Sequence, residues 1–302
     1  CCFRFSAVHR SYQVVRRFQI NPGKSSLLLA LDGFMTAATN ARLSTIALLV
    51  TLAGCGSPAQ LPVSAGMGPN PEIPKPETSL IPLVNVVDAK GWKNGGAPKS
   101  APGTKVNAFA SGLDHPRWLY VLPNGDVLVA ETNAPDRPDD SKGIKGFFFK
   151  YFQKKAGGAV PSANRITLLR DSDGDGVADI RSILISGLYS PFGMTYVNGF
   201  LYVANSNAVM RYAFTPGQIK ITSSGAKLSD LPAGTINHHW TKSLIASRDG
   251  SKLYAGVGSN SNAGENGIDK EANRNAIWEI DRVSGAHRIF ASGLRNPVGL
   301  AW

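Results

Sequence analysis

Short apolar runs alternate with glycine-containing turns along the chain from residue 112 onward. The copies of this pattern are "GLDHPRWLYVLPNGDVLVAETN" at Gly112, "GLYSPFGMTYVNGFLYVANSN" at Gly187, the looser "GTINHHWTKSLIASRDGSKLYAGVGSNSN" at Gly234 and "GLRNPVGLAW" at Gly293. They begin 75, 47 and 59 residues apart. Apolar runs of this length, bounded by turn residues, indicate β-strands rather than helices.

Each complete copy predicts four strands. The first two flank the turns "PNGD", "VNG" and "RDGSK"; the third lies in "NRITLLRD", "AVMRYAF" and "AIWEIDR", and the fourth in "DIRSILISG", "AKLSDLPAG" and "AHRIFASG". One four-stranded unit cannot bury both of its faces, whereas units stacked in a ring bury one another. The predicted fold is therefore all-β, a β-propeller of which the chain holds three blades and the opening strand of a fourth. A sandwich or a β-helix fits the repeat length less well.

An incomplete ring would leave large apolar faces uncovered. We therefore expect the chain to be a fragment that is truncated at Trp302.

The region before the repeats resembles an export signal. After Met35, Arg42 precedes the apolar run "LSTIALLVTLAG", which is too short for a stable membrane span. The run ends in "LAGC" at Cys55, which resembles the lipobox of bacterial lipoproteins. We expect residues 1–34 to be upstream sequence without structural meaning, residues 35–54 to be a signal peptide and Cys55 to carry the lipid. An ordinary signal peptide with an incidental cysteine is the alternative.

The next region has the composition of a tether. Residues 56–103 contain nine prolines and many small residues, which is typical of an extended, solvated linker. Residues 55–103 are thus the predicted tether, and residues 104–302 the predicted propeller domain. This order predicts an exported bacterial lipoprotein on the periplasmic side of a membrane, held there by its lipid anchor only.

Charge and cysteine content exclude some classes of function. The formal net charge is +11, but six Arg or Lys against one Asp lie in residues 1–54, and the remainder contains no basic block. A role in nucleic-acid binding is therefore disfavoured. No cysteine follows Cys55, so the repeat region forms neither a disulfide nor a cysteine-based zinc site. No glycine-rich nucleotide loop of the usual spacing is present.

In a propeller, the turns that enter the innermost strands gather around the central channel at one face. Here those turns are residues 114–117, 189–192, 237–240 and 295–297. Two pairs in them are unusual for turns, His238 with His239 and Arg295 with Asn296. We expect all four turns to converge on one axial site.

At these turns the chain resembles the soluble quinoprotein dehydrogenases of the glucose/sorbosone dehydrogenase family, most closely the sorbosone-dehydrogenase-like branch. The resemblance covers residues 80–302 and lies in the motifs already quoted, in "SANRITLLRDSDGDGVAD" and in "VNVVDAKGW". It implies a six-bladed propeller that binds pyrroloquinoline quinone (PQQ) and Ca²⁺ and oxidises a sugar or a related aldehyde or alcohol. An external acceptor would take the electrons.

The resemblance also implies roles for three residues. His239, directly before "WTKSL", matches the family's general base, and Arg295 and Asn296 match its cofactor-contacting pair. The chemistry suits these residues, because a neutral His accepts a hydroxyl proton near pH 7 and an Arg fork binds a carboxylate. One departure is that other branches carry an acidic residue before the base, where this chain has His238.

A second site is predicted in "DSDGDGVAD". Asp171, Asp173, Asp175 and Asp179 follow the ligand spacing of an EF-hand loop, and Gly176 matches its glycine. Position 12 of the loop is Ser182 instead of Glu. We expect a structural Ca²⁺ loop between two strands; a hairpin turn without an ion is the alternative.

The segment "KGFFFKYFQKK", residues 145–155, is aromatic and basic. It predicts a helix inserted in the first blade, packed on the side of the propeller. An amphipathic helix that touches a membrane is the alternative.

Two other functions stay open at this point. One is a metal-dependent lactonase-type propeller in which Glu131 and Asn205 would be metal ligands. The other is a propeller without catalysis that binds a carbohydrate or a protein.

Overall fold

A computed structural model describes residues 61–72, 86–88, 90–93, 95–136, 143–262, 264 and 266–302. The chain divides into two compact units, Cys1–Val84 and Asn85–Trp302. The described part of the first unit contains a 3-10 turn at Val63–Gly66. The predicted signal peptide and Cys55 lie outside the described residues, and the predicted tether is described only in part. No helix in the described ranges is long and apolar enough to cross a membrane.

The second unit is built from four-stranded antiparallel sheets. The first sheet holds β1 (Pro116–Val121), β2 (Val127–Glu131), β3 (Arg165–Arg170) and β4 (Ile180–Ile185). The second holds β5 (Met194–Val197), β6 (Phe200–Ala204), β7 (Ala208–Ala213) and β8 (Ala226–Asp230). The third holds β9 (Leu244–Ala246), β10 (Lys252–Val257), β11 (Ala276–Asp281) and β12 (His287–Ser292). Each of these strands lies in the segment that the repeat pattern predicted for it. The predicted opening strand of a fourth blade is wrong for the described structure, because residues 297–302 form no strand and pair with no neighbouring strand.

Each sheet is a meander in which sequence neighbours pair. In the second sheet, for example, Tyr196 pairs with Leu201 and Tyr202 pairs with Arg211. The first strand β5 also lies beside the first strands β1 and β9 of the adjacent sheets. Inner strands that approach one another while the outer strands diverge are the arrangement of propeller blades. The all-β, blade-like prediction is thus confirmed; the number of blades and closure of the ring stay predictions.

The core consists of the two layers between neighbouring sheets. Strand β6 shows why. Leu201 and Val203 pack against the first sheet, whereas Tyr202 and Ala204 pack against the third. Successive side chains of a strand point to opposite faces, so a sheet covered on both faces needs a continuous apolar run rather than an alternating one. The run "FLYVA" meets that requirement, because its last four residues are all fully buried.

The predicted insertion in the first blade is confirmed as a helix. This helix, α1 (Gly143–Lys155), lies between β2 and β3. The expectation that it packs on the propeller side is wrong for most of its aromatic residues, because Phe147, Phe148 and Tyr151 are 67%, 53% and 57% exposed. At about 100° per residue these three side chains fall on one face of the helix, and that face is exposed.

A lysine lies fully buried where the second and third sheets meet. Lys242 precedes β9, its side chain is inaccessible, and its Nζ donates to the carbonyl of Trp240 at 3.2 Å. Among the described residues it makes no ion pair. Burial, and then the nearby positive charge of Arg274, lower the pKa of Lys242 from 10.5 to about 7. Desolvation thus makes the neutral amine a major form at neutral pH.

Lys242 should make the fold more stable as the pH rises from about 7 towards 10.5. In this window the unfolded chain holds the lysine proton and the folded chain does not, so the free energy of unfolding rises with pH. The slope from this group is at most about 1.4 kcal/mol per pH unit. Urea unfolding between pH 7 and 10 measures it, and Lys242→Met should abolish it.

The matched control is Lys227→Met, which removes an exposed lysine paired with Asp230. That variant should keep the slope of the parent chain. A parent chain whose stability changes with pH no more than that of Lys242→Met would contradict the assignment.

Candidate functional site

The turns before the inner strands converge as predicted. The guanidinium of Arg117 lies over the ring of Trp240 at 5.7 Å, and Phe192 packs edge-on against the same ring with centroids 6.1 Å apart. Gly193 donates its N–H to the carbonyl of Lys242 at 2.9 Å. Residues from the first three turns therefore share one aromatic cluster, and Trp240 places the His pair beside it.

His239 is held by one ring nitrogen. Its Nδ1 lies 2.6 Å from Oγ of Ser259 and 3.3 Å from the carbonyl oxygen of the same residue. The Ser259 hydroxyl donates its own proton to the carbonyl of Ser261 at 2.7 Å. Since both groups that face Nδ1 are then acceptors, Nδ1 carries the ring proton and Nε2 carries the lone pair.

The surroundings keep His239 neutral. Burial is the largest effect, followed by the positive charge of Arg295, and together they lower the pKa of His239 from its ordinary value of 6.5. A neutral imidazole whose Nε2 is not protonated can accept a proton at pH 7. His238 lies in the same turn and donates its backbone N–H to the carbonyl of Asn260 at 2.9 Å.

Arg295 and Asn296 lie against His239. The N–H of Ser259 donates to the carbonyl of Arg295 at 2.9 Å, and Nε of Arg295 donates to the carbonyl of Asn262 at 3.0 Å. Arg295 is exposed and makes no ion pair within the described part of the chain. Oδ1 of Asn296 is buried without a hydrogen-bond partner there. The pair thus offers an uncompensated cation and a buried, unsatisfied acceptor next to a neutral base.

Gly258 allows this close approach. A Cβ atom at Gly258 would lie 2.5 Å from Cβ of His239 and would overlap Oδ1 of Asn296. Sequence reasoning missed Gly258 and Ser259, although both stand in the quoted motif "VGSNSN". The available signal was their position in the repeat, directly after the second strand of the blade.

Other residues of the turns make hydrogen bonds and ion pairs with the sheets and the loops beside them. Nδ1 of His115 contacts the carbonyl of Thr132 at 2.7 Å, and Asp114 pairs with Arg165 at 2.7 Å. Oδ1 of Asn237 accepts from Arg274 at 2.9 Å. These contacts connect the turns to the sheets.

The geometry disfavours Glu131 as a metal ligand. Both of its carboxylate oxygens accept from Arg165, at 3.1 and 2.8 Å, and it also accepts from Thr167 and from the N–H of Asp114. A metal at Glu131 would have to displace Arg165 from a buried ion pair, which is costly. Oδ1 of Asn205 is buried without a partner among the described residues. Because Arg165 occupies the carboxylate of Glu131, Glu131 does not serve with Asn205 as a ligand of the same metal.

The acidic loop connects β3 to β4. Carboxylate oxygens of Asp171, Asp173 and Asp179 lie within 4.8 Å of one another, and Asp175 is not part of this group. Asp171 accepts from the N–H groups of Gly174 and Gly176, and Asp179 accepts from Ser172.

The twelfth position of the predicted EF-hand pattern does not reach this loop. Ser182 lies within β4, where it pairs with Leu168 of β3. The loop thus forms a satisfied hairpin by itself, and Ca²⁺ binding stays a prediction.

No protein-family model matches the sequence, and no curated protein matches it. Solved structures do. The calcium structure of the Trichoderma reesei carbohydrate-active enzyme family AA12 protein matches with a TM-score of 0.50 and 17% identity, over 67% of this chain and 46% of that chain. The two chains share a fold. The resemblance expected from the sequence is thus confirmed at the level of fold.

Other solved structures align less closely. One is the holo PQQ domain of pyranose dehydrogenase from Coprinopsis cinerea, with a TM-score of 0.48 and 17% identity over 64% of this chain and 42% of that chain. Another is the PQQ-bound aldose sugar dehydrogenase from Streptomyces coelicolor, with a TM-score of 0.38 and 15% identity over 59% and 48%. The chain spans less than half the length of each of these proteins.

Ser259 should control the pKa of His239. A carboxylate in place of the hydroxyl stabilises the protonated ring, so Ser259→Asp should raise the pKa of His239 towards or above 6.5. Ser259→Ala removes the hydroxyl acceptor and leaves only the backbone carbonyl at Nδ1, so it should weaken the preference for the Nδ1-protonated tautomer. Titration of the imidazole signals by NMR measures both effects, and the His239 signal is assigned by its loss in His239→Gln.

Ser284→Asp is the control, since Ser284 lies in the turn after β11. It should leave the His239 titration unchanged. An unchanged His239 titration in Ser259→Asp would mean that the contact does not form in solution.

If Ca²⁺ binds the acidic loop, it should stabilise the folded chain in a concentration-dependent way, because a ligand of the folded state raises its melting temperature Tm. Asp171→Asn combined with Asp179→Asn should remove the Ca²⁺-dependent part of the Tm, whereas Asp230→Asn on β8 should not. Equal Tm values with Ca²⁺ and with chelator would favour the plain hairpin.

Proposed function

We propose that the chain is part of a PQQ-dependent oxidoreductase that oxidises a sugar or a related aldehyde or alcohol. The observation that carries the proposal is the cluster of His239, Arg295 and Asn296. A neutral His with a free Nε2 lies beside a cation and an unsatisfied buried acceptor, and these three residues match the motifs that resemble the quinoprotein dehydrogenases. The shared fold with the Trichoderma reesei carbohydrate-active enzyme supports the same class.

The residues fit the cofactor chemically. PQQ carries three carboxylates, and the guanidinium of Arg295 can bind one of them through its two parallel N–H groups. The unsatisfied Oδ1 of Asn296 is an acceptor for a donor group of a ligand. When bound, PQQ supplies a hydride acceptor, which the protein's own side chains lack.

The task of His239 is proton removal. Its Nε2 would accept the proton of the substrate hydroxyl. With the hydride acceptor that the cofactor supplies, an alcohol would be oxidised to a carbonyl, or a hemiacetal to a lactone. Ser259 fixes the tautomer that leaves Nε2 free. Burial and Arg295 keep the ring neutral, and this preserves a base at neutral pH.

Calcium enters the proposal in two places. The Trichoderma reesei structure of the same fold is a calcium structure, and the family that the motifs resemble uses Ca²⁺ with PQQ. The loop with Asp171, Asp173, Asp175 and Asp179 is the second place, as a structural site. An external electron acceptor would reoxidise the cofactor.

We also propose that the chain is an exported lipoprotein acylated at Cys55 on the periplasmic side of a membrane. This proposal rests on the "LAGC" motif and the proline-rich residues that follow it. Metabolic labelling with a radioactive fatty acid tests it, since Cys55→Ser should remove the label.

His239→Ala should reduce turnover by at least about 10²-fold, the usual contribution of a general base. The assay follows PQQ- and Ca²⁺-dependent reduction of a dye with a panel of aldoses and aldehydes, using the full-length protein. In the parent, kcat/KM should fall on the acid side, because the protonated ring cannot act as a base.

PQQ binding separates this function from its rivals. Arg295→Met should weaken PQQ binding measured by fluorescence titration, and Arg248→Met is the matched control because Arg248 lies beyond the opposite end of β9. Turnover without PQQ binding would contradict the proposal. Neither turnover nor PQQ binding would leave a propeller that binds a carbohydrate or a protein.

A further inference from the structure

Helix α1 carries a cluster of exposed aromatic side chains, Phe147, Phe148, Phe149 and Tyr151, here called the aromatic patch. Their exposed fractions range from 40% to 67%. The rings of Phe147 and Phe148 contact edge to face with centroids 5.6 Å apart. Tyr151 contacts Phe152 in the same way at 5.4 Å. Phe147, Phe148 and Tyr151 share one face of the helix by its 3.6-residue period, and none of these rings contacts the site around His239.

Three other exposed apolar side chains differ from this patch. Ile268, Val283 and Ile219 are 84%, 75% and 46% exposed, but each stands alone in a separate segment. Single exposed apolar residues are normal on a protein surface and need no partner. A continuous aromatic cluster on one helix indicates a surface that another phase or molecule covers.

The charge around the patch selects the partner. The helix itself, residues 143–155, contains four lysines and no Asp or Glu, although Asp139 and Asp140 come shortly before it in the sequence. Of these, Lys150, Lys154 and Lys155 are exposed, and the last two stand in the final turn of the helix. Lys155 lies 3.6 Å from Asp88, and both side chains are about half exposed. The helix therefore presents aromatic rings together with positive charge.

We propose that α1 binds the surface of a bilayer that contains anionic lipids. Phe and Tyr side chains partition into the boundary between headgroups and acyl chains, and lysines beside them pair with lipid phosphates. Charge complementarity favours this occupant over a neutral apolar protein surface. The proposal does not depend on the oxidoreductase function or on acylation of Cys55. If Cys55 is acylated, α1 adds a second membrane contact beside that anchor.

The test measures binding of the full chain carrying Cys55→Ser, which removes the acyl acceptor, to sedimented lipid vesicles. Vesicles of phosphatidylcholine alone are compared with vesicles that also contain phosphatidylglycerol. The chain should bind the anionic vesicles, and binding should weaken as salt rises. The combined substitution Phe147→Ser, Phe148→Ser and Tyr151→Ser should reduce the partition coefficient at least about tenfold. Lys150→Gln and Lys154→Gln should each reduce it about fivefold on anionic vesicles only.

The matched control replaces Ile219, Ile268 and Val283 by Ser, which removes the same number of exposed apolar side chains elsewhere. It should bind vesicles like the parent. Near-ultraviolet circular dichroism verifies that each variant is folded. A separate variant, Phe148→Trp, should show a blue-shifted emission with anionic vesicles relative to the same variant in buffer.

Three outcomes would overturn the proposal. The parent does not bind anionic vesicles, or the triple Ser variant of the patch binds them equally well. Alternatively, the parent self-associates without binding vesicles and the patch variant is monomeric, which would make the patch a contact between two copies of the chain.

Discussion

The structure depends on one constraint: the facing apolar sides of neighbouring four-stranded sheets must cover each other. The second sheet shows this most clearly, since Leu201 and Tyr202 are adjacent in β6 and are both fully buried, in different core layers. Stacking of the sheets brings their first strands together, because β5 lies beside both β1 and β9. The turns that enter these strands then necessarily meet at one end. The site is a consequence of how the sheets bury each other.

The same constraint explains why the site is assembled from distant segments. His239 precedes β9, Ser259 follows β10, and Asn296 lies in the turn after β12. Antiparallel pairing places the start of β9 and the end of β10 at the same edge of the sheet, and the missing side chain of Gly258 leaves the space for Asn296. The hydroxyl of Ser259 accepts a hydrogen bond from Nδ1 of His239 and donates one to the carbonyl of Ser261. It thus connects His239 to the end of β10. The orientation of His239 is therefore determined by the sheet.

The strand order and the convergence of the turns could be predicted from the sequence, because strand periodicity and turn residues are local signals. Contacts between side chains of different repeat copies could not be predicted from the sequence. Ser259 differs from an ordinary loop serine only through its distance to His239, and Lys242 follows a turn and reads as an exposed residue. The helix α1 was predicted correctly as an element and wrongly as a packed one, since a local pattern contains no information about which surface faces it. The acidic loop illustrates the same limit. Its spacing resembles an EF-hand loop, but Ser182, the twelfth position of that pattern, lies within β4 and not in the loop.

Electrostatics connect the two halves of the candidate site. The charge of Arg295 lowers the pKa of His239, second only to burial. An anion bound at Arg295 offsets that charge and therefore raises the affinity of His239 for a proton. By thermodynamic linkage, protonation of His239 must strengthen anion binding to the same degree. His238 precedes the base, and the hydroxyl of Ser259, which carries no charge, faces Nδ1. The charge of a ligand at Arg295 is thus one variable that sets the basicity of His239, and the base becomes stronger when that ligand is an anion.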